Sequence, residues 1–493
     1  MAKRRVCLAV DLGAESGRIL AGRFNGSRLD LQEIQRFPNR PVRLPSGLHW
    51  DVLRLFSDIQ SGLAKSAAEY GRNLVSAGVD TWGVDFGLLD ARGMLLGNPF
   101  HYRDVRTEGV PERVFRKVPP ASLYQTTGVQ IMQLNTVFQL AAMVEARSPQ
   151  LTAAKTLLFM PDLFRYWLTG HKGIEWTIAS TSQCFNPRRR TVASSILKTL
   201  GLSPSIFPHR VDPGTTVGTL LPAIGAETGA RKLKIVAPGS HDTASAVAAV
   251  PLLRPQDAFL SSGTWSILGM ETARPLITQA TYARNFTNEG GVCGRTRLMK
   301  NIMGLWLVQE CRRIWAEEGD VLSYGELTTL ASKAPPFRAF INPEDSVFFS
   351  PGDMPKRIRE ACRKSGQPVP RTKGETIRVA LESLALAYGR VLRQLEEVTG
   401  QVPTVLHIIG GGSQNTLLNR FTSGATGLPI QAGPVEATAA GNILIQLMAL
   451  KEIRSLEEGR DLIRNSFPLR TEEPNCTEKW AEAAERFRSL IFL

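Results

Sequence analysis

The chain has 493 residues, 43% of them hydrophobic and 21% charged, with a formal net charge of +14. That length exceeds one ordinary hydrophobic core and implies two large domains, and the composition excludes long disorder. The basic excess is scattered through short clusters such as Arg188-Arg189-Arg190 without interleaved aromatics, so a nucleic-acid partner is not expected and anionic small molecules are.

From the N-terminus, Lys3-Arg4-Arg5 followed by a few apolar residues faintly resembles a signal peptide, but the apolar run is short and Asp11 ends it. No stretch reaches the ~18–20 apolar residues of a membrane helix. Asn442 and Gln446 interrupt the best candidate, Ala437 to Leu450. The six cysteines are far apart and form no CxxC pair, which reads as free thiols rather than a disulfide or zinc framework. A cytoplasmic protein is expected.

Two segments echo each other. VCLAVDLGAESGRIL (Val6 to Leu20) and DAFLSSGTWSIL (Asp257 to Leu268) each place a Gly/Ser/Thr turn between two apolar runs, the pattern of paired strands. The recurrence predicts two domains of related plan, residues 1–250 and 251–493, divided near Pro251 to Pro255. Further strands are expected at Leu74 to Val79, Val84 to Leu89, Lys234 to Ala237 and Val405 to Ile409. Helical periodicity marks Leu53 to Ala68, Gly304 to Glu317, Thr376 to Glu397 and Ala437 to Leu450. Strands mixed with helices indicate an α/β architecture. Phe337 to Pro370 has no strong pattern and reads as a surface insertion.

Five sites could carry chemistry. In DLGAESGR, Asp11 to Arg18, the glycines allow a tight turn whose N–H groups can face an anion, and Asp11 could hold Mg²⁺. SSGTW, Ser261 to Trp265, repeats those ingredients with Gly263 and Thr264; positive φ is expected at Gly263. HIIGGGSQNTLLN, His407 to Asn419, runs a buried strand through three glycines into a helix capped by Ser413 or Asn415. PGSHDTASAV, Pro238 to Val247, places Asp242 between a strand end and a helix start. On the residues alone Asp242 is equally a general base or a helix N-cap. VDTWGVDFGLLD and HYRDVR combine indole, phenol, carboxylate and guanidinium groups. That suits sugar contact, and equally a buried Trp82 with a surface pair of Asp104 and Arg106.

With MPDLFRYWLTG, TNEGG, KNIMGLWLVQE and GPVEATAAGN, these motifs follow one another as in the FGGY carbohydrate-kinase family, and within it the members that act on L-rhamnulose. The resemblance runs from Val6 to about Leu450. It implies a two-domain, actin-like (ribonuclease-H-like) α/β fold, with ATP and sugar meeting in the cleft between the domains. It makes Asp242 the catalytic base and gives sugar contacts to Gly83, His241, Asp242, Thr243 and Asn301. Nucleotide contacts fall to Ala14, Glu15, Ser16, Gly17, Arg18, Thr264, Gln309 and Gly411. Glu15 departs from the smaller residue common in relatives. The implied reaction is Mg²⁺- and ATP-dependent phosphorylation of L-rhamnulose at the C1 hydroxyl. The alternatives are another ketose, fuculose or xylulose, or a non-catalytic actin-like nucleotide-binding protein.

Overall fold

A computed structural model describes residues 5–491. Met1 to Arg4, the basic start of the signal-like stretch, lie outside the described residues. The chain forms two compact units. The first comprises 1–251, 271–298 and 437–467; the second comprises 252–270, 299–436 and 468–493. The division after Pro251 is therefore supplemented by two segments that the first unit takes from the later half of the chain.

In the first unit, β1 (Arg5–Leu12), β2 (Ser16–Phe24) and β3 (Leu29–Pro38) form an antiparallel meander. β4 (Leu74–Thr81) lies parallel to the other side of β1, followed by β6 (Lys234–Ala237) and the edge strand β5 (Thr215–Thr219). The central strand β1 is buried from Val6 to Leu12, as a strand covered on both faces must be, while β3 alternates with polar residues at the edge. Helix α1 (Val52–Tyr70) begins at Asp51, whose side chain accepts from the Arg54 N–H. It buries Val52, Leu55, Ile59 and Leu63, one face of a 3.6-residue period. Helix α2 (Asp242–Ala248) follows β6.

The helix Ala437–Ala449 packs on β1 and β4 of the same unit. Asn442 and Gln446, which interrupt its apolar run, are both fully buried. Gln446 Nε2 donates to the Leu8 carbonyl (2.8 Å), and Ser76 Oγ donates to Gln446 Oε1 (2.7 Å). Asn442 Nδ2 donates to Asp80 and to the Gly78 carbonyl. These polar side chains tie the helix to the sheet, because buried amides need partners. Among the described residues no helix is long and apolar enough to cross a membrane.

The second unit repeats the plan. β7 (Ala258–Ser262) and β8 (Trp265–Thr272) form an antiparallel hairpin with β9 (Thr296–Met303) beside β8. On the other side of β7 lie parallel β10 (Leu406–Ile409), then β11 (Ile430–Ala432), with β12 (Arg470–Glu472) antiparallel at the edge. Three neighbouring strands extended by parallel strands beside the first of them is the ribonuclease-H-like order, and both sheets show it; in the second, Thr287–Gly290 adds a strand outside β9. Helix α5 (Thr416–Thr426) packs on β11 and β12, and α4 (Lys373–Thr399) packs on α5 and on α3 (Trp306–Glu317).

The segment Phe337 to Pro370 is not a loose insertion. It contains the helix Met354–Lys364, which buries Met354 and Pro355 in its first turn and then Ile358 and Cys362. The Phe337 and Ile341 N–H groups donate to Glu382 Oε2 and Ser383 Oγ of α4, and the Phe348 carbonyl accepts from Trp306 Nε1. So few apolar residues among so many charges hide a narrow buried stripe from periodicity.

Candidate active site

In the first unit the acidic residues collect at the C-terminal ends of parallel strands, where α/β sheets place ligands. Asp11 is the last residue but one of β1 and is in register with Asp80 of β4. The Thr81 N–H donates to the Ser240 carbonyl (2.9 Å), which brings the turn before Asp242 alongside. Asp11 is also paired with Arg18 across the β1–β2 hairpin, Nη2 to Oδ2 being 2.6 Å. Asp80 is fully buried, and its Oδ1 has no hydrogen-bond partner among the described residues. Burial, with the Asp11 charge beside it, pushes the Asp80 carboxyl well above the ordinary range.

Ala14 to Arg18 are brought to this end of the sheet, but the glycines differ from expectation. A Cβ on Gly17 would lie 2.2 Å from the Phe37 ring, so that glycine serves packing. The turn is held by Asn39, which the sequence reading passed over. Its Nδ2 donates to the Gly13 carbonyl (2.8 Å), and its N–H donates to the Glu15 carbonyl (3.0 Å). Glu15 is exposed, which explains how a carboxylate is tolerated there.

Asp242 opens α2, yet the helix N-cap is His241. Asp242 Oδ1 accepts from the N–H (2.5 Å) and Oγ1 (3.1 Å) of its neighbour Thr243. Its side chain keeps 29% exposure. Burial pushes its carboxyl up, opposed by His241 and reinforced by the Asp11 charge. A carboxylate whose proton affinity is raised by its surroundings suits a proton acceptor.

Gly83 borders the same place. A Cβ there would meet Thr181 Oγ1 at 3.3 Å and His241 Nε2 at 3.4 Å. The next residue, Val84, has φ +67°, and the Asp85 N–H donates to the Gly83 carbonyl (2.9 Å). This is a strained γ-turn centred on a β-branched residue. It is held by Thr181 Oγ1, which accepts from the Val84 N–H (3.1 Å), and by Thr136 Oγ1, which donates to the Val84 carbonyl (2.6 Å). Such strain gathers at functional sites.

Asp85 is fully buried and accepts from Trp50 Nε1 (2.6 Å), Trp82 Nε1 (3.0 Å), Gln139 Nε2 (2.9 Å) and the Tyr102 N–H (3.2 Å). Its carboxylate anchors the aromatic cluster. Trp82 is buried, and Asp104 and Arg106 do pair, Nε to Oδ1 4.0 Å, but inside the protein rather than at its surface. Asp104 is buried and accepts from the Leu48 and Arg106 N–H groups, while the Arg106 guanidinium lies 4.0 Å from the Phe100 ring centre.

The second unit gathers Thr264, Gln309 and Gly411, with Asn301 on the strand leading to them. Gly263 and Thr264 form the β7–β8 turn, whose carbonyls accept from Leu305 N–H (2.9 Å) and Trp306 N–H (3.2 Å) at the start of α3. Gln309 lies on that helix, and its Oε1 is buried without a partner among the described residues. Contrary to expectation, Gly263 has no positive φ, and a Cβ on it would touch only the Trp265 carbonyl, at 3.7 Å. Ser261 and Ile409 pair across β7 and β10, which places Gly410 to Gly412 next to Ser262. A Cβ on Gly412 would lie 2.1 Å from Ser262 Oγ, whereas one on Gly411 would meet nothing within 4 Å among the described residues. Gly411 is thus a glycine that packing does not require. Asn415, not Ser413, caps α5, accepting from the Leu418 N–H (3.0 Å).

The chain is 46% identical over 483 residues to a rhamnulokinase of Bacteroides thetaiotaomicron, covering 98% of this chain and 99% of the relative. It is 40% identical over 485 residues to a rhamnulokinase of Pectobacterium atrosepticum, covering 98% and 96%. Among solved structures, Plasmodium falciparum glycerol kinase with ADP shares the fold at TM-score 0.80 and 14% identity, over 99% of this chain and 98% of that one. A ligand-bound xylulose kinase from Lactobacillus acidophilus does so at TM-score 0.80 and 13% identity, over 99% and 96%. Residues 6–249 match the N-terminal domain, and residues 258–450 the C-terminal domain, of the FGGY family of carbohydrate kinases. The chain belongs to the FGGY family of carbohydrate kinases.

Proposed function

We propose that this kinase transfers the γ-phosphoryl group of ATP to the C1 hydroxyl of L-rhamnulose, giving L-rhamnulose 1-phosphate and ADP, in the cytoplasmic breakdown of L-rhamnose. The observation that carries the reading is the position of Asp242: a carboxylate that opens α2 beside the acidic end of the first unit's sheet, its side chain 29% exposed and its Oδ1 bonded by Thr243. It takes the proton of the C1 hydroxyl as that oxygen attacks the γ-phosphorus. Gly83, His241 and Thr243 surround it and contact the sugar, joined in this reading by Asn301. Ala14 to Arg18 and Thr264 hold phosphates, and Gln309 and Gly411 hold the nucleoside. Most of the rate then comes from positioning and fixed dipoles, since phosphoryl transfer asks little covalent chemistry of the protein.

Mg²⁺ fits the acidic strand ends. Asp80 has a buried oxygen without a partner, and its proton affinity is raised partly by the Asp11 charge, a repulsion that a divalent cation relieves. Among the described residues no three His, Cys, Asp or Glu side chains form a metal cluster. Asp11 would hold the Mg²⁺ ion, which would offset charge on the phosphate oxygens.

The test is a panel of L-rhamnulose, L-fuculose and D-xylulose with coupled ADP detection, and phosphorus NMR of the product. The highest kcat/KM is expected for L-rhamnulose, with the phosphate on C1. A preference for another ketose, or ATP turnover indifferent to sugar, overturns the reading.

A further inference from the structure

The first unit contains a buried chain of charged groups that ends on His241. Arg297 is fully buried, and Glu289 and His241 keep only 4% and 7% exposure. Arg297 Nη2 lies 3.1 Å from His241 Nδ1 and 3.3 Å from Glu289 Oε2. Glu289 Oε2 lies 3.3 Å from His241 Nδ1, and His241 Nε2 lies 3.5 Å from Asp242 Oδ1. The Arg297 guanidinium and the Glu289 carboxylate thus meet together at His241 Nδ1, and the opposite nitrogen of the ring faces Asp242.

The outer members are fixed. Arg297 Nε donates to the Gly290 carbonyl (2.9 Å), Thr287 Oγ1 donates to Glu289 Oε1 (3.1 Å), and the Gly290 N–H donates to Ser180 Oγ (2.7 Å). From the other side Thr177 Oγ1 accepts from the His241 N–H (3.1 Å) and donates to Glu175 (2.6 Å). The backbone of His241 is thus held by one set of groups and its ring by another. A buried Arg–Glu pair that only neutralises itself gains little over apolar packing. This pair is aimed at one ring nitrogen, and the bond at one nitrogen of a histidine decides what the other nitrogen presents.

We infer that Glu289, held by Arg297, is a positioning residue for phosphoryl transfer, acting on Asp242 through the ring of His241. The inference rests on the reading of Asp242 as the base. Neither Glu289 nor Arg297 needs to touch sugar or nucleotide. Their work is to fix the ring whose Nε2 lies between Gly83 and Asp242.

The experiment measures the wild type first with L-rhamnulose and ATP; an inactive wild type counts against the proposed function, not against this step. Glu289→Asp keeps a charge for Arg297 but withdraws the carboxylate from Nδ1 by one methylene. Its kcat should fall by roughly 10- to 100-fold, the scale of a small misplacement of reacting groups. The KM for ATP and the melting temperature should stay near wild type. In a His241→Ala background the same change should cost nothing further, because residues that act as one unit are not additive. If Glu289→Asp melts early, Glu289→Gln supplies the same cycle with the reach preserved. An unchanged kcat, or losses that multiply in the double variant, overturns the inference.

Discussion

Gly83 and His241 face each other so closely that a methyl group on Gly83 would stand 3.4 Å from His241 Nε2. With Thr181 Oγ1 at 3.3 Å as well, the methyl asks its neighbours to give by only a few tenths of an ångström. Gly83→Ala should leave the melting temperature near wild type and raise the KM for sugar by about tenfold, the cost of roughly 1.4 kcal/mol of lost contact. The KM for ATP should hold. Steady-state kinetics with each substrate varied in turn checks this, and an unchanged sugar KM removes Gly83 from the sugar site.

Gly263 and Gly411 make a second test through contrast with Gly412. Side chains at the first two positions meet at most an ordinary contact, while one at Gly412 collides with Ser262. Gly263→Val and Gly411→Val should therefore change stability by no more than about 0.5 kcal/mol. Both should weaken ATP binding by at least roughly tenfold. Gly412→Val should instead lower the melting temperature. Isothermal titration with a non-hydrolysable ATP analogue, beside thermal melts, separates the two classes; normal ATP binding by Gly411→Val removes it from the nucleotide site.

What the sequence disclosed, and what it hid, follows from the range of the interactions. The two strand-turn-strand echoes were legible because each is a continuous apolar run broken by turn residues. Asp242 was legible as a carboxylate between a strand end and a helix, but its bonds to its own neighbour Thr243 were not, since only the backbone shows that His241 occupies the N-cap position. The roles of Asn442 and Gln446 depend on Asp80, Ser76 and Leu8, more than 350 residues earlier. The left-handed backbone of Val84 opposes the residue's own preference, and no local signal can announce it. Glycine-rich strings also do not say which glycine is for packing, as at Gly17, and which is not, as at Gly411.

Asp85 gives the protein a measurable pH signature. Burial is the main cause that pushes its carboxyl up to about 6, against the pull of Gln139, Trp50, Trp82 and the Arg106 charge. The unfolded value is near 4. Between these values the folded state binds more protons than the unfolded one, so stability is highest below about pH 4 and is lost as pH rises through about 6. The difference is worth about 3 kcal/mol. In Asp85→Asn that share of the slope should vanish, whatever the absolute stability of the variant. Urea titrations at several values between pH 4 and 7 check the slope; an unaltered slope means that Asp85 does not titrate in this window.

Asp242→Asn decides between base and cap. Asn keeps the size of Asp and is as good a cap, but it takes no proton at neutral pH. A positioned base is worth about 10²- to 10⁴-fold in rate, or roughly 3–5 kcal/mol of barrier. The variant should lose kcat by that factor while sugar and ATP affinity change far less, because Asn still bonds a hydroxyl. The wild-type pH profile carries the same information. Burial foremost, together with the Asp11 charge, raises the Asp242 carboxyl, and His241 only partly offsets this. A base must be ionised to work, so kcat/KM should fall as pH drops through a value above the ordinary carboxylate range. That acid limb should disappear in the variant. Stability gives the control: Asn can accept the Thr243 N–H as Asp242 does, so the melting temperature should stay near wild type. A variant that keeps more than about a tenth of wild-type kcat, well short of the smallest loss expected for a missing base, would remove Asp242 from the chemistry.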